Sequence, residues 1–354
     1  MAEFSRPADD EVELTAFGPG YGESLLVHLG MGEWMMVDSC VRADRRLPAL
    51  DYLRSMDVNP SRDVKLIVAT HWHDDHVRGI AQALVECQEA DLVLSDALKD
   101  DEFVAGLAKA RPGRFGRVPS GVDELGAIVR HLEKIDELHR LAWGIQCRQL
   151  YRRESPFGRE VIALAPCDKV VTETRVGFAS RLASSFYGDP GSPVPRPDRN
   201  EGAVVLWIHV GDASLLLGAD LEETNDPRTG WTAVVGLMRN DGRKGEVFKI
   251  PHHGSAGSHQ DDVWTNLLVD QPEAVVCPHV LGGNRLPTDD YLGLLCDRSR
   301  VHLTAEPNRS SGTRQREGGQ VLSAFGRVTL RRRIGEGPRW MEYHEPPARR
   351  LCPD

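Results

Sequence analysis

The stretch 64-VKLIVATHWHDDHVRG-79 decides how this chain is read. Its first six residues, 64-VKLIVA-69, form an apolar run of strand length, which predicts a buried β-strand. The next positions, His71 to His76, hold three histidines and two aspartates. In extended backbone, side chains two apart point the same way, so His71 and His73 can face one ion from one side. Asp75 and His76 lie past the bend and can reach a second ion. Zinc and similar metals favour imidazole and carboxylate ligands, and a strand end holds such ligands rigidly. A lone histidine in a loop reads as ordinary surface polarity. The pattern H-x-H-x-D-H directly after a buried strand is far more specific than that.

Composition sets the outer bounds. The chain has 354 residues, enough for a well-buried core. Hydrophobic residues make up 40% and charged residues 27%, which is ordinary for a globular protein. The formal net charge of -10 excludes a basic protein of nucleic-acid type on average, though not a local basic surface. The opening MAEFSRPADDEVEL is polar and acidic, without the apolar core of an export signal. No apolar run reaches membrane-spanning length. Seven cysteines (Cys40, Cys87, Cys147, Cys167, Cys277, Cys296, Cys352) are scattered with no CxxC pair. That predicts reduced thiols and a cytoplasmic protein without a disulfide framework.

Working outward, 24-SLLVHLG-30 and 33-EWMMVD-38 read as a β-hairpin turned by Gly30 and Gly32. A helix is expected around residues 45–56, another over 79–88, and a strand at 91–95. Residues 109–153 hold ten Lys/Arg against five Asp/Glu, and 122–141 has a strong helical period. This predicts a helical, locally basic insertion over about 100–155. Strands follow at 160–166, at 203–220 with a hairpin turn at Gly211-Asp212, and at 246–250, which leads into 251-PHHGS-255. Further strand-like runs occur at 274–277, 300–304, 319–325 and 327–333. Strands with interspersed helices predict an α/β sandwich of sheets with helices outside.

The pattern HxHxDH after a strand resembles the signature of the metallo-β-lactamase-fold hydrolases. Asp38, in 36-MVDSC-40, resembles that family's first-motif aspartate, which supports the histidine loop by hydrogen bonds. Asp220, in 215-LLLGAD-220, resembles its metal-bridging carboxylate. The segment 249-KIPHHGS-255 resembles one branch, the hydrolase domain of ComEC-type DNA-uptake proteins, as does the opening 17-FGPGYGESLLV-27. Three departures stand out. Gly-Ala-Asp replaces the branch's Gly-Asp, and no third-motif histidine is apparent; Asn200 stands near that place. The branch's late Gly-His-Pro is also missing at 282-GGNRLP-287, and His279 is left outside the metal set.

The resemblance implies an αββα sandwich of two mixed β-sheets with outer helices. It covers residues 11–333 as one hydrolase domain, with 334–354 as a C-terminal tail. It implies two divalent ions, zinc first and manganese or iron as alternatives. His71, His73 and Asp220 would hold one ion; Asp75, His76, Asp220 and His253 the other. His252 would face the substrate and Asp38 would support the ligands. Water activated by the ions would hydrolyse a phosphodiester, so a nucleic acid or nucleotide is the expected substrate. The basic segment 109–153 and the seven arginines of 309–333 are expected to neutralise phosphates without reading sequence. A hydrolase of small esters, lactones or thioesters is the alternative, and a metal-binding scaffold without activity is a third reading. A homo-oligomer or a partner from a bacterial defence locus stays open; no membrane partner is expected.

Overall fold

The computed structural model describes residues 5–18, 22–42, 44–99, 121–176, 200–281, 284–307, 315–317, 320–322 and 325–352. Its strands bury both faces, as near-continuous apolar runs require. In β4 (Val64–Ala69), Leu66 and Val68 enter one core while Ile67 and Ala69 enter another. In β9 (Leu206–Val210), Leu206, Ile208 and Val210 share the core of Leu66, whereas Trp207 faces a third. Three cores between four layers follow from that alternation.

The first sheet uses β1 (Glu11–Gly18), β2 (Ser24–His28), β3 (Trp34–Val37), β4, β5 (Asp91–Ser95), β6 (Leu141–Gly144), β18 (Gly326–Arg333) and β19 (Met341–Glu345). Its order is β19-β18-β1-β2-β3-β4-β5-β6. The second uses β7 (Arg148–Arg153), β8 (Arg159–Ala163), β9, β10 (Ala213–Leu217), β11 (Gly245–Lys249), β12 (Leu268–Val276), β15 (Arg300–Leu303) and β20 (Arg349–Arg350). Its order is β20-β15-β12-β11-β10-β9-β8-β7. Two hairpins, β13–β14 (His279–Leu281, Asn284–Leu286) and β16–β17 (Gln315–Glu317, Gln320–Leu322), stand apart. Helices Pro48–Ser55, Ile80–Glu86 and Gly121–Lys134 cover the first sheet, and Gly230–Met238 and Asp289–Arg298 the second. The expected two-sheet sandwich with outer helices is therefore the one observed.

Within each sheet one block is parallel: β3 to β6, and β10, β11, β12 and β15. Their carboxyl ends carry Asp38, residues 70–76, Asp220 and residues 252–253, and the two sheets bring these together at one end of the sandwich.

Three expectations need correction. Of the stretch 100–155 read as a helical insertion, residues 100–120 lie outside the described residues, and helix is confined to Gly121–Lys134. Beyond it, β6 and β7 extend both sheets at one edge. Cross-strand pairing with β5 and β8 overrides a helical period that nominally continues to residue 141. The tail 334–354 is not separate either, because β19 and β20 close the opposite edges. Finally, Cys296 and Cys352 are joined in a disulfide, which ties the tail to helix Asp289–Arg298 and was not expected from cysteines scattered so widely. No helix among the described residues is long and apolar enough to cross a membrane.

Candidate metal centre

The site is built by turns that leave the strands abruptly. Asp38, Ala219, His252 and His253 all take positive φ without being glycine, a costly conformation that clusters where geometry is imposed. The extra residue of 218-GAD-220 is absorbed in this way: Ala219 turns left-handed (φ 46°) and its carbonyl accepts the amide of His252 at 2.9 Å. The two loops are thereby locked to each other.

Asp38 lies at the centre of the hydrogen bonding. Its Oδ1 accepts the Thr70 amide at 2.8 Å, and its Oδ2 accepts the Thr70 hydroxyl at 2.8 Å and His76 Nδ1 at 2.7 Å. Since Thr70 spends its proton on Asp38, its oxygen accepts from His71 Nδ1 at 3.0 Å. His253 Nδ1 donates to the Cys277 carbonyl at 2.9 Å. Each of the three buried histidines thus spends Nδ1–H on a fixed acceptor, which leaves Nε2 with its lone pair. All three Nε2 atoms turn to Asp220 Oδ2, at 3.7 Å from His71, 3.3 Å from His76 and 3.8 Å from His253. Asp75 Oδ2 lies 3.2 Å from His253 Nε2 and 3.9 Å from His76 Nε2. His73 joins His71 and Asp220 as a group of potential ligands, and His76, Asp220 and His253 form another.

Burial pushes the Asp38 carboxyl above its ordinary value, against the pull of His76. Burial would also raise Asp75 and Asp220, but the neighbouring histidines, His76 foremost, hold both well below the carboxylate range. His76 and His253 are raised in turn: burial is the largest influence and opposes their charge, but the surrounding carboxylates, Asp220 foremost, together outweigh it. His71, by contrast, is pulled down by burial. The carboxylates generate a field strong enough to hold positive charge at this point, and a divalent cation would meet that same field.

The residues fit a metal on a second ground. The buried atoms His71 Nε2, His76 Nε2 and Asp220 Oδ1 have no hydrogen-bond partner, a costly arrangement unless something else binds them. Imidazole with carboxylate suits zinc, manganese and iron.

Several site residues were missed or set aside by sequence reasoning. Glu23 and Lys249 form a buried ion pair, Oε1 to Nζ 2.6 Å, beneath the cluster, and Glu23 Oε2 lies 3.5 Å from His253 Nδ1. Sequence offered only their places in the quoted motifs. His279, excluded before, is brought in: its Nδ1 lies 3.2 Å from Asp75 Oδ2, and it groups with Asp75 and His253. His252 joins none of these ligand groups. It meets Glu222 Oε1 at 3.1 Å, and the same oxygen accepts Asn200 Nδ2 at 2.8 Å. No fourth histidine, cysteine or carboxylate joins His71, His73 and Asp220 among the described residues.

The Lactamase_B family model, described as the metallo-beta-lactamase superfamily, matches residues 17–89, the segment that runs from the end of β1 through the HxHxDH turn. The fold is the metallo-β-lactamase sandwich. Among solved structures, the metallo-β-lactamase-fold protein YhfI from Bacillus subtilis is 12% identical, with a TM-score of 0.43 over 83% of this chain and 96% of that one. MEM-A1, a subclass B3 metallo-β-lactamase from a soil metagenome library, is also 12% identical, with a TM-score of 0.36 over 66% and 75%. The metallo-β-lactamase SMB-1 is 14% identical, with a TM-score of 0.36 over 73% and 84%. No curated protein matches this chain. In this metallo-β-lactamase sandwich the candidate metal centre lies where the parallel strands of both sheets end.

Among the described residues, three arginines of the expected basic segments are buried. Arg331 is buried against Glu13, and Arg332 is buried against Asp212 and Glu246. Arg327 and Arg333 pair with Glu345 and Asp10. In the earlier segment Arg140 donates to the carbonyls of Cys87 and Ala90, and Arg152 and Arg153 meet Glu154 and Glu33. Arg140, Arg331 and Arg332 brace the fold from buried positions, whereas Arg152, Arg153, Arg327 and Arg333 stay partly exposed in their pairs. Lys109, Arg111, Arg114, Arg117, Arg309 and Arg314 lie outside the described residues.

Proposed function

We propose that this protein is a metal-dependent phosphodiesterase. The convergence of three lone-paired Nε2 atoms on Asp220, each fixed by a hydrogen bond on its other nitrogen, carries the metal-dependent part. His71, His73 and Asp220 would hold one divalent ion, and Asp75, His76, Asp220 and His253 the other. Bound there, such ions supply Lewis acidity and lower the pKa of water. The remaining work falls to the chain. Asp38 keeps His76 and, through Thr70, His71 in the tautomers that present Nε2. Glu222 and Asn200 position the partly exposed His252 beside the cluster, where it would contact a phosphate oxygen or protonate the leaving group.

The phosphodiester assignment is supported by the likeness of 249-KIPHHGS-255 to the ComEC-type branch. With Arg140, Arg331 and Arg332 buried in internal pairs, recognition is expected first at the metals and His252. The test incubates the purified chain with Mn²⁺ or Zn²⁺ and bis(p-nitrophenyl) phosphate, single- and double-stranded DNA, and a lactone. A His73→Ala/Asp75→Ala variant runs beside it. Diester cleavage by the wild type alone is expected. Lactone turnover without diester cleavage would transfer the site to small esters, and metal binding without any turnover would remove the enzymatic reading.

A further inference from the structure

Far along the chain from the HxHxDH turn, another set of ligands meets at the edge of the sandwich. His302, wholly buried in β15, belongs to the second sheet; Glu342 and His344, on β19, belong to the first. His302 Nδ1 lies 3.0 Å from His344 Nε2 and 3.5 Å from Glu342 Oε2, and His344 Nε2 lies 3.9 Å from the same oxygen. We propose that His302 Nδ1, His344 Nε2 and Glu342 Oε2 form a zinc site that ties the two sheets together.

Geometry is the first argument. A circle through three atoms at those separations has a radius of about 2.0 Å, the length of zinc–imidazole and zinc–carboxylate bonds (about 2.0–2.2 Å). One hydrogen bond between the rings accounts for the two nitrogens. It does not account for a carboxylate oxygen placed at ligand spacing from both.

Orientation is the second. His302 Nε2 donates to Glu273 Oε2 at 2.8 Å, so Nδ1 carries the lone pair. A carboxylate behind a metal-binding histidine fixes the ring and raises its basicity. The arginines are arranged consistently with this. Arg300 takes the other Glu273 oxygen at 2.7 Å, and Arg350 the other Glu342 oxygen at 3.0 Å.

Charge then selects the ion. Two arginines cancel two carboxylates, so the cluster offers directed lone pairs rather than a strong negative field. That favours zinc over calcium or magnesium, which need several oxygens and net negative charge. His344 and Glu342 are partly exposed, which leaves a fourth position for water.

The test uses the full chain carrying His71→Ala, Asp220→Ala and His253→Ala, which disarms the HxHxDH cluster and leaves β15 and β19 alone. Zinc is titrated against a chromophoric chelator, and cobalt is followed by its visible absorption. One equivalent of a four-coordinate ion is expected. It should vanish on adding His344→Ala and bind about 10–100-fold more weakly with Glu273→Gln. If the triple variant does not fold, His344→Ala in the otherwise unchanged chain should lose one equivalent of zinc and keep its turnover. No zinc bound by a folded triple variant, or an equivalent that survives His344→Ala, overturns the proposal. Neither result bears on the phosphodiesterase reading, whose ligands are separate.

Discussion

Lys249 and Glu23 show what a single residue does beneath this site. Both side chains are buried, with Nζ 2.6 Å from Oε1. Burial, the largest influence, would lower the lysine pKa, yet Glu23, with help from Cys277 and Asp220, more than offsets it and the ammonium persists. Neither charge has water to fall back on, so removing one partner strands the other. Lys249→Met is expected to cost about 3–5 kcal/mol of stability, because Glu23 would then lie uncompensated beside His253 and His76. Pairing it with Glu23→Gln should recover much of that loss, since neutral partners no longer need a counter-charge. Urea unfolding of both single variants and the double variant measures the coupling. Costs that simply add would mean the pair is not an energetic unit.

At the scale of an element, the β2–β3 hairpin carries its own pH sensor. His28 ends β2; its Nδ1 donates to the Glu11 carbonyl at 2.8 Å and its Nε2 accepts the Gly32 amide at 3.1 Å. Only a neutral ring can do both. Burial lowers its pKa to about 3. A folded pKa below the unfolded value means that the unfolded chain takes up the proton first. The contribution is therefore complete above about pH 6.5 and is lost as pH falls toward 3. Between pH 6 and 4, wild type should lose about 1.4 kcal/mol per pH unit more than His28→Gln. Equal slopes in pH-dependent urea titrations would refute this. The hairpin is also an element that the sequence made legible, because Gly30 and Gly32 at positive φ supply a turn that few other residues allow. So were the strand before His71 and the histidines themselves, whose spacing is local. What escaped was set by distant partners. β6 and β7 are short strands defined by β5 and β8, and β19 and β20 by β18 and β15. His279 reaches Asp75 only because β12 ends beside β11, a neighbour relation that no local pattern encodes.

The whole molecule places its strongest electrostatic demand at one end of the sandwich. Asp38, Asp75 and Asp220 gather there with Glu23, and Lys249 is the lysine buried among them. Asp38, His71 and His76 come from the first sheet, and Asp220 and His253 from the second, so whatever neutralises the cluster also joins the sheets. A cation bound only by the folded state stabilises it by mass action, by about 2.7 kcal/mol at a hundredfold excess over Kd. Chelation of the purified protein should therefore lower the urea midpoint, and Mn²⁺ or Zn²⁺ should restore it together with diester cleavage. Asp220→Asn, which weakens the carboxylate that all three Nε2 atoms face, should abolish most of this metal dependence. The loss should also be local. Without metal, amide exchange should speed up first at residues 70–79, 218–222 and 251–255, the turns that carry the ligands, while β2, β4 and β9 keep their protection. Identical midpoints with and without chelator would mean that the cluster is stable on its own hydrogen bonds. The ligand roles given to His71, His76, His253 and Asp220 would then fall together, because they rest on the same convergence.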